Sequence, residues 1–193
     1  MRASRTLPAS YFENKYRADI DPWNFRTSAY EREKYAATVG AIRKPRPRNA
    51  LEVGCSIGVL TKLIAQRCDR VLALDGSETA IKEARSQNLP NVAFSVASLP
   101  NDFPNERFDL IVLSEVLYYF SVADLTALAS RCGAALEDDG EIILCHWLGE
   151  TDYPLAGRQA SDLFTQALAY QLRVLEIRHE AEYFLVRLSA TPL

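Results

Sequence analysis

Leu51-Glu52-Val53-Gly54-Cys55-Ser56-Ile57-Gly58 reads as the end of a buried strand, an acid, a tight glycine turn and the start of a helix. Glycine at Gly54 and Gly58 lets backbone approach a ligand or a neighbouring element, because no Cβ stands in the way. A strand, such a turn and a helix place a ligand at the carboxyl edge of a parallel sheet. The turn lacks the three glycines of a dinucleotide fingerprint, and no P-loop Lys-Ser or Lys-Thr follows it. What remains is Glu-x-Gly-x-x-x-Gly after a first strand.

The chain downstream alternates. Apolar runs predict strands over Ala50 to Val53, Arg70 to Leu74, Val92 to Val96, Phe108 to Leu113 and Glu141 to Cys145. Helical periodicity predicts helices over Val59 to Arg67, Glu78 to Gln87, Val122 to Leu136 and Gly157 to Ala169. Arg173 to Arg178 and Tyr183 to Leu188 close the chain as an antiparallel hairpin, and Asp139-Gly140 reads as a turn. The expected fold is α/β, a Rossmann-like, doubly wound, mostly parallel sheet with helices on both faces. Residues 50–193 form its core, and residues 1–45 a short N-terminal helical cover within a single domain. In the cover, Met1 to about Ser10 reads as a loose terminus and Tyr11 to Tyr16 as helical. Asp21 to Phe25 is a proline turn, and a helix from about Thr27 carries Tyr30, Lys34, Tyr35 and Thr38 at helical spacing. Glu31, Arg32, Glu33 and Lys34 read as one solvated face.

The chain of 193 residues has net charge -3, 48% hydrophobic and 24% charged residues. These are ordinary globular values with no basic field to attract nucleic acid. Its four cysteines, Cys55, Cys68, Cys132 and Cys145, form no C-x-x-C pair, and no targeting segment or membrane-length apolar run is present. The expectation is a cytoplasmic protein with reduced thiols, no membrane partner and no metal. Oligomeric state is not legible.

Twenty-one residues separate Gly54 from Asp75, the length of one helix and one strand. Asp75 should therefore stand at the neighbouring strand's tip, where a carboxylate can accept both hydroxyls of a ribose. Together with Phe108-Asp109-Leu110-Ile111-Val112 on strand four, these residues resemble class I S-adenosylmethionine-dependent methyltransferases. The resemblance implies S-adenosyl-L-methionine as cofactor and S-adenosyl-L-homocysteine as product. The turn, with Gly54, Cys55, Ser56 and Gly58, would hold the methionine part, and Glu52 suits its amino group. Asp75 would take the ribose, while Gly76 and Ser77 flank the adenine. Many members place an acid after strand three to bind the adenine amino group. This chain has Val96-Ala97-Ser98-Leu99-Pro100 there, so Ser98 or a backbone carbonyl of Ala97 or Leu99 must serve.

Asp21-Pro22-Trp23-Asn24-Phe25-Arg26 through Tyr35, Ser114-Glu115-Val116-Leu117-Tyr118-Tyr119, and His146-Trp147 with Asp152-Tyr153-Pro154-Leu155 resemble NodS-type nodulation N-methyltransferases. That group methylates the free amine of a deacetylated chitooligosaccharide. The implied partner is a small-molecule or oligosaccharide acceptor bearing an amine. Trp23 and Arg26 are candidates to close over the methionine end, beside Ser114. Packing and a solvated charge are their alternative roles. Glu115 is the first candidate to take the amine's proton, with Tyr118 orienting the acceptor and His146 as another base. Glu115 could instead cap a helix, and His146 could be a structural, hydrogen-bonded histidine. Tyr30, Tyr119 and Trp147 are candidate acceptor contacts. O-methylation of a small metabolite, a nicotinamide-dependent oxidoreductase and a non-catalytic cofactor-binding protein are the rival readings. With little inserted material, the acceptor site should be shallow unless the cover and the segment from Trp147 to Gly157 close it.

Overall fold

The structure is a computed structural model that describes residues 2–190. Met1, the first residue of the expected loose terminus, and residues 191–193 of the expected domain lie outside the described residues. Among the described residues seven strands form one sheet: β1 Ala50–Val53, β2 Val71–Asp75, β3 Val92–Val96, β4 Phe108–Ser114, β5 Leu136–Trp147, β6 Arg173–His179 and β7 Tyr183–Ser189. Their order is β3-β2-β1-β4-β5-β7-β6. Pairing is parallel from β3 through β5 and antiparallel for β5 with β7 and β7 with β6.

The period-2 alternation of the central strands divides the core into two layers. Leu51, Ile111, Leu113, Ile142 and Leu144 face one way. They pack on Leu125 and Leu128 of α5 (Val122–Ala135) and Phe164 of α6 (Gly157–Ala167). Ala50, Leu110, Val112, Ile143 and Cys145 face the other way. There they meet Tyr35 of α2 (Ala29–Gly40), Leu60 and Ile64 of α3 (Val59–Ala65) and Ile81 of α4 (Glu78–Arg85). All seven residues of β4 are buried, as expected for a central parallel strand covered on both faces.

Two local expectations change. Asp139-Gly140 is not a turn but part of β5, which runs on directly from α5. Leu136 already pairs with Phe108, and the register then shifts before Leu110 meets Glu141. That irregularity takes up residues 137–140 as a bulge between the two pairs. The N-terminus is also less loose than its composition implies. The Ala3 N–H donates to Asp152 O and the Leu7 N–H to Tyr119 O, each at 2.9 Å, and the Thr6 hydroxyl bonds Asp124. α1 (Ala9–Ala18) then begins before Tyr11.

The cover is shaped by capping. Asp21 accepts the N–H groups of Phe25 (2.7 Å) and Arg26 (3.0 Å), which folds the proline turn back on itself. Ser28 caps α2 by accepting the Glu31 N–H. Among the described residues no helix is long and apolar enough to cross a membrane. No group of His, Cys, Asp and Glu among them could hold a metal ion.

Candidate active site

β1 sits where the chain's winding reverses, with β2 on one side and β4 on the other. Ligands of open α/β sheets bind in the crevice at this place. Here a cleft of about 590 Å³ opens at the carboxyl ends of the three strands, walled by the N-terminal segment, α1 and α2.

The floor is the glycine turn. Gly54 (φ 78°) and Ser56 (φ 52°) are left-handed, a conformation that costs a non-glycine residue free energy and recurs at ligand sites. The N–H groups of Gly54 and Cys55 both donate to Leu74 O, at 2.8 and 2.9 Å, tying the turn to β2. A Cβ on Gly54 would lie 3.0 Å from Val116 Cγ2. Asp75 ends β2 with its oxygens divided. Oδ2 accepts the Ser56 N–H and Oδ1 the Ser77 N–H, both at 2.9 Å. An ionised carboxylate has about four acceptor positions, and with the Gly76 N–H also acting on it part of that capacity remains. Burial raises the Asp75 pKa against the pull of these backbone donors. Glu52 lines the same floor at 2% exposure, and its Oε2 has no hydrogen-bond partner. Burial pushes its carboxyl up to about 7.

The opposite wall starts at Glu115, just past β4. Its φ is 57°, and its N–H donates to Cys145 O at 2.8 Å. Glu115 Oε1 accepts the Trp147 N–H at 2.8 Å and lies 3.1 Å from Lys34 Nζ; Oε2 accepts the Tyr118 hydroxyl. Burial raises its pKa, while Lys34 and Tyr118 oppose the rise. Tyr118 stacks on Tyr153, with centroids 5.5 Å apart, and Tyr119 meets Tyr153 edge-on at 4.7 Å. These rings form an aromatic wall beside the carboxylate.

Of the residues singled out from sequence, the cleft brings together Trp23, Tyr30, Glu52, Gly54, Cys55, Ser56, Asp75, Gly76, Ala97, Ser98, Leu99, Ser114, Glu115, Tyr118, Tyr119 and Trp147. Four others stand elsewhere. Arg26 points out of the Asp21 turn and pairs with Glu83 of α4. Gly58 begins α3, and a Cβ there would lie 2.7 Å from Gln87 Nε2 and 3.2 Å from Ala84 Cβ. Its glycine serves the close packing of α3 on the α4 end. Ser77 caps α4 through the Ala80 N–H and donates its hydroxyl to Glu13 Oε2 at 2.7 Å. His146 is fully buried behind the wall. Its Nε2 accepts the Leu117 N–H at 3.1 Å, and its Nδ1 lies 3.2 Å from Ser161 Oγ. Burial pulls its pKa down to about 3, so it stays neutral and braces the turn that carries Glu115. A base facing an acceptor is not available there.

Sequence reasoning missed two features. Glu31 and Lys34 are not a solvated face: Lys34 is 1% exposed and Glu31 8%, and Nζ lies 2.8 Å from Glu31 Oε1. The signal was the four-residue spacing of Tyr30, Lys34 and Thr38, which puts Lys34 on the inward stripe. Glu13 of α1 was also missed. It accepts the hydroxyls of Ser77 and Thr79, each at 2.7 Å, and the Thr79 N–H at 3.1 Å. These donors lower its pKa to about 2.

A sheet of this order, with a glycine turn after β1 and an acid at the tip of β2, is the class I methyltransferase fold. The family model for Nodulation protein S (NodS) matches residues 10–150, and the chain belongs to that family. Nodulation protein S of Bradyrhizobium diazoefficiens is 32% identical over 127 residues, which cover 64% of this chain and 61% of that protein. The Rhizobium tropici protein of the same name is 31% identical over 134 residues, covering 67% of this chain and 56% of its own length. The chain thus spans about 56–61% of the length of these curated relatives. A crystal structure from Pseudomonas syringae superposes with a TM-score of 0.73 at 34% identity, over 83% of this chain and 98% of that one. The N-methyltransferase NodS from Bradyrhizobium japonicum WM9, in complex with S-adenosyl-L-homocysteine, has a TM-score of 0.76 at 20% identity. The coverage is 94% of this chain and 98% of that one, and the likeness extends to the fold.

Proposed function

We propose that this chain, cover and core acting as one unit, is a methyltransferase that uses S-adenosylmethionine and acts on a small polar acceptor. The acceptor is an amine on a sugar or glycan-like molecule. One observation carries the reading: both neighbours of β1 end in a carboxylate that lines the cleft, Asp75 after β2 and Glu115 after β4. One suits a ribose and the other an acceptor, with the glycine turn between them.

The donor set fits the cofactor. The unpartnered Glu52 Oε2 suits an ammonium group, since an unmet buried acceptor costs about 1–3 kcal/mol. The remaining acceptor positions of Asp75 suit a ribose diol. Tyr16 and Ser56, whose hydroxyls bond one another, offer polar contacts to the methionine carboxylate in place of Arg26. Rings of Trp23 and Tyr16, 5.5 Å apart and roughly perpendicular at 69°, suit a sulfonium, because ring faces attract cations. Bound there, S-adenosylmethionine supplies an activated methyl group.

The chain's own residues then align and deprotonate. Most of the acceleration in such a displacement comes from holding nucleophile and carbon in line. Six acidic side chains, those of Glu31, Glu52, Asp75, Glu115, Asp124 and Glu182, line the cleft against one basic one, Lys34. That imbalance favours a cationic amine over a neutral hydroxyl. Such an amine must lose a proton before it attacks, and Glu115 Oε2 takes it while the Tyr118 hydroxyl holds the carboxylate in place. Tyr119, Tyr153 and Trp147 offer ring faces to the acceptor's apolar side, and Tyr30 closes it from α2.

A labelled-methyl assay against amino sugars, deacetylated chitooligosaccharides and hydroxylated metabolites tests the acceptor. Label on the amino compounds supports the reading, and label only on alcohols makes the chain an O-methyltransferase. Calorimetry tests the cofactor. Tight NAD binding with no response to S-adenosylhomocysteine overturns it, and cofactor binding without turnover on any acceptor reduces the chain to a binding protein.

A further inference from the structure

Lys34 is the one described cation in an otherwise acidic cleft, and its ammonium is neither free nor exposed. It lies 2.8 Å from Glu31 Oε1, 3.1 Å from Glu115 Oε1 and 4.7 Å from the centroid of the Tyr30 ring. A buried lysine without a partner loses its proton, whereas two carboxylates in contact keep it charged. The converse holds for the carboxylates. Two acids that touch one nitrogen within 3.1 Å, one buried and one with 15% of its side chain exposed, repel each other once the cation between them is gone, which favours the protonated form of Glu115.

We propose that Lys34 is a positioning residue that keeps Glu115 ionised between turnovers, with Glu31 as the counterweight that holds Lys34 charged. The inference rests on the reading of Glu115 as the group that takes the acceptor's proton. In that step an N–H bond of the acceptor ammonium breaks, its electron pair stays on nitrogen, and the proton goes to Glu115 Oε2. Lys34 keeps its own proton and touches only Oε1, so it acts through Glu115. The Trp147 N–H shares that oxygen. The cation and the backbone donor therefore occupy one edge of the carboxylate and leave the other to Tyr118 and the acceptor.

The other titratable groups facing Glu115 do not supply this control. Tyr30 and Tyr35 from α2, and Tyr118 and Tyr119 after β4, all have phenols raised above their ordinary range, chiefly by burial. Burial also pushes the Cys145 thiol on β5 and the Tyr153 phenol up to about 12. These groups are neutral at working pH, so Lys34 and Glu31 are the charges that set Glu115. Burial raises the Glu115 pKa, Lys34 lowers it and Glu31 raises it, which agrees with the geometry.

The test is a carbon-detected NMR titration of the glutamate side-chain carboxyls in the full chain. The Glu115 signal is assigned by its loss in Glu115→Gln, and no acceptor is needed. Lys34→Met, which keeps the apolar stem, should move the Glu115 midpoint up by at least one pH unit. Glu31→Gln should move it down, and the double variant should fall between the two. Opposite shifts from the two singles are not expected of a merely structural pair. If Lys34→Met does not fold, the downward shift in Glu31→Gln alone decides. With glucosamine as acceptor, the acidic limb of the kcat profile should follow the same shifts, while KM for the cofactor stays within about twofold. An unmoved Glu115 midpoint in either folded single variant overturns the inference. Normal turnover in Glu115→Gln would instead overturn the reading of the base, whatever the titration shows.

Discussion

Asp75 shows how one side chain can serve the fold and a ligand together. Its two oxygens take one backbone N–H each, from Ser56 and Ser77, and so tie the glycine turn and the start of α4 to the end of β2. Asp75→Ala removes both anchors and the acceptor for a ribose. Affinity for S-adenosylhomocysteine should fall by about 1–3 kcal/mol, the usual loss for a charged acceptor, as read by calorimetry. Asp75→Asn keeps one acceptor oxygen and should lose less. Unchanged affinity in both variants would remove Asp75 from the site. Glu115 is a different case, because its contacts run to Trp147, Lys34 and Tyr118 on the acceptor side. Glu115→Gln should cut turnover by 10²-fold or more, the ordinary range for a lost proton acceptor, and leave cofactor affinity nearly unchanged. A mutant with normal turnover would put the base elsewhere.

Among the elements, α1 is held to the core by polar contacts as well as by the packing of Phe12 and Tyr16. Glu13 accepts from Ser77 and Thr79 at the N-terminus of α4, where the helix dipole also favours a negative charge. Glu13→Ala leaves these donors unmet and should cost about 1 kcal/mol, as lost caps do. Limited proteolysis should then cut within α1 several-fold faster, and S-adenosylhomocysteine should slow the cut. Equal rates in the variant and the parent would mean that the packing of Phe12 and Tyr16 holds α1 without the latch. The same contacts explain what the sequence could and could not reveal. β1 was legible to the residue because a covered strand announces itself as a short apolar run, and β3, at the sheet edge, because its β-branched and aromatic residues stand between turn residues. The docking of α1 was not, since Glu13 finds its partners more than sixty residues away. Lys34 was ambiguous: its spacing pointed inward while its charge pointed outward, and Glu115, just past the distant β4, decided between them. His146 lies within β5, whose residues from Gly140 to His146 are all buried, and the hydrogen bonds from Leu117 and to Ser161 show that its ring faces the core. The Glu137-Asp138-Asp139-Gly140 run has the composition of a turn, yet it is taken up as a bulge within β5, between the pairs that Leu136 and Glu141 make with β4.

At the scale of the whole molecule, the buried titratable groups set how stability follows pH, and two of them oppose each other. His146 has a pKa near 3 in the folded chain against an ordinary 6.5. Between those values the unfolded chain binds a proton that the folded one does not, so stability is lost as pH falls through that window. Glu52 behaves the other way, with a folded pKa of about 7 against 4.5. The folded chain holds the extra proton, and stability is lost as pH rises from 4.5 to 7. Glu13, lowered to about 2 from 4.5, loses its contribution as pH falls between those values. The slopes of His146 and Glu52 therefore cancel between pH 4.5 and 6.5, and below that range His146 and Glu13 act together. Without ligand, the parent chain should show little dependence from these groups near pH 5.5 and lose stability steeply below 4.5. Glu52→Gln removes one of the two opposed slopes. Its stability relative to the parent should rise by at most about 1.4 kcal/mol per pH unit between pH 4.5 and 7, then level off. Urea midpoints at a series of pH values measure this difference. Parallel curves for Glu52→Gln and the parent would mean that Glu52 titrates alike in the folded and unfolded chain, and the cleft floor would then carry a buried negative charge above about pH 4.5 even before a cation arrives.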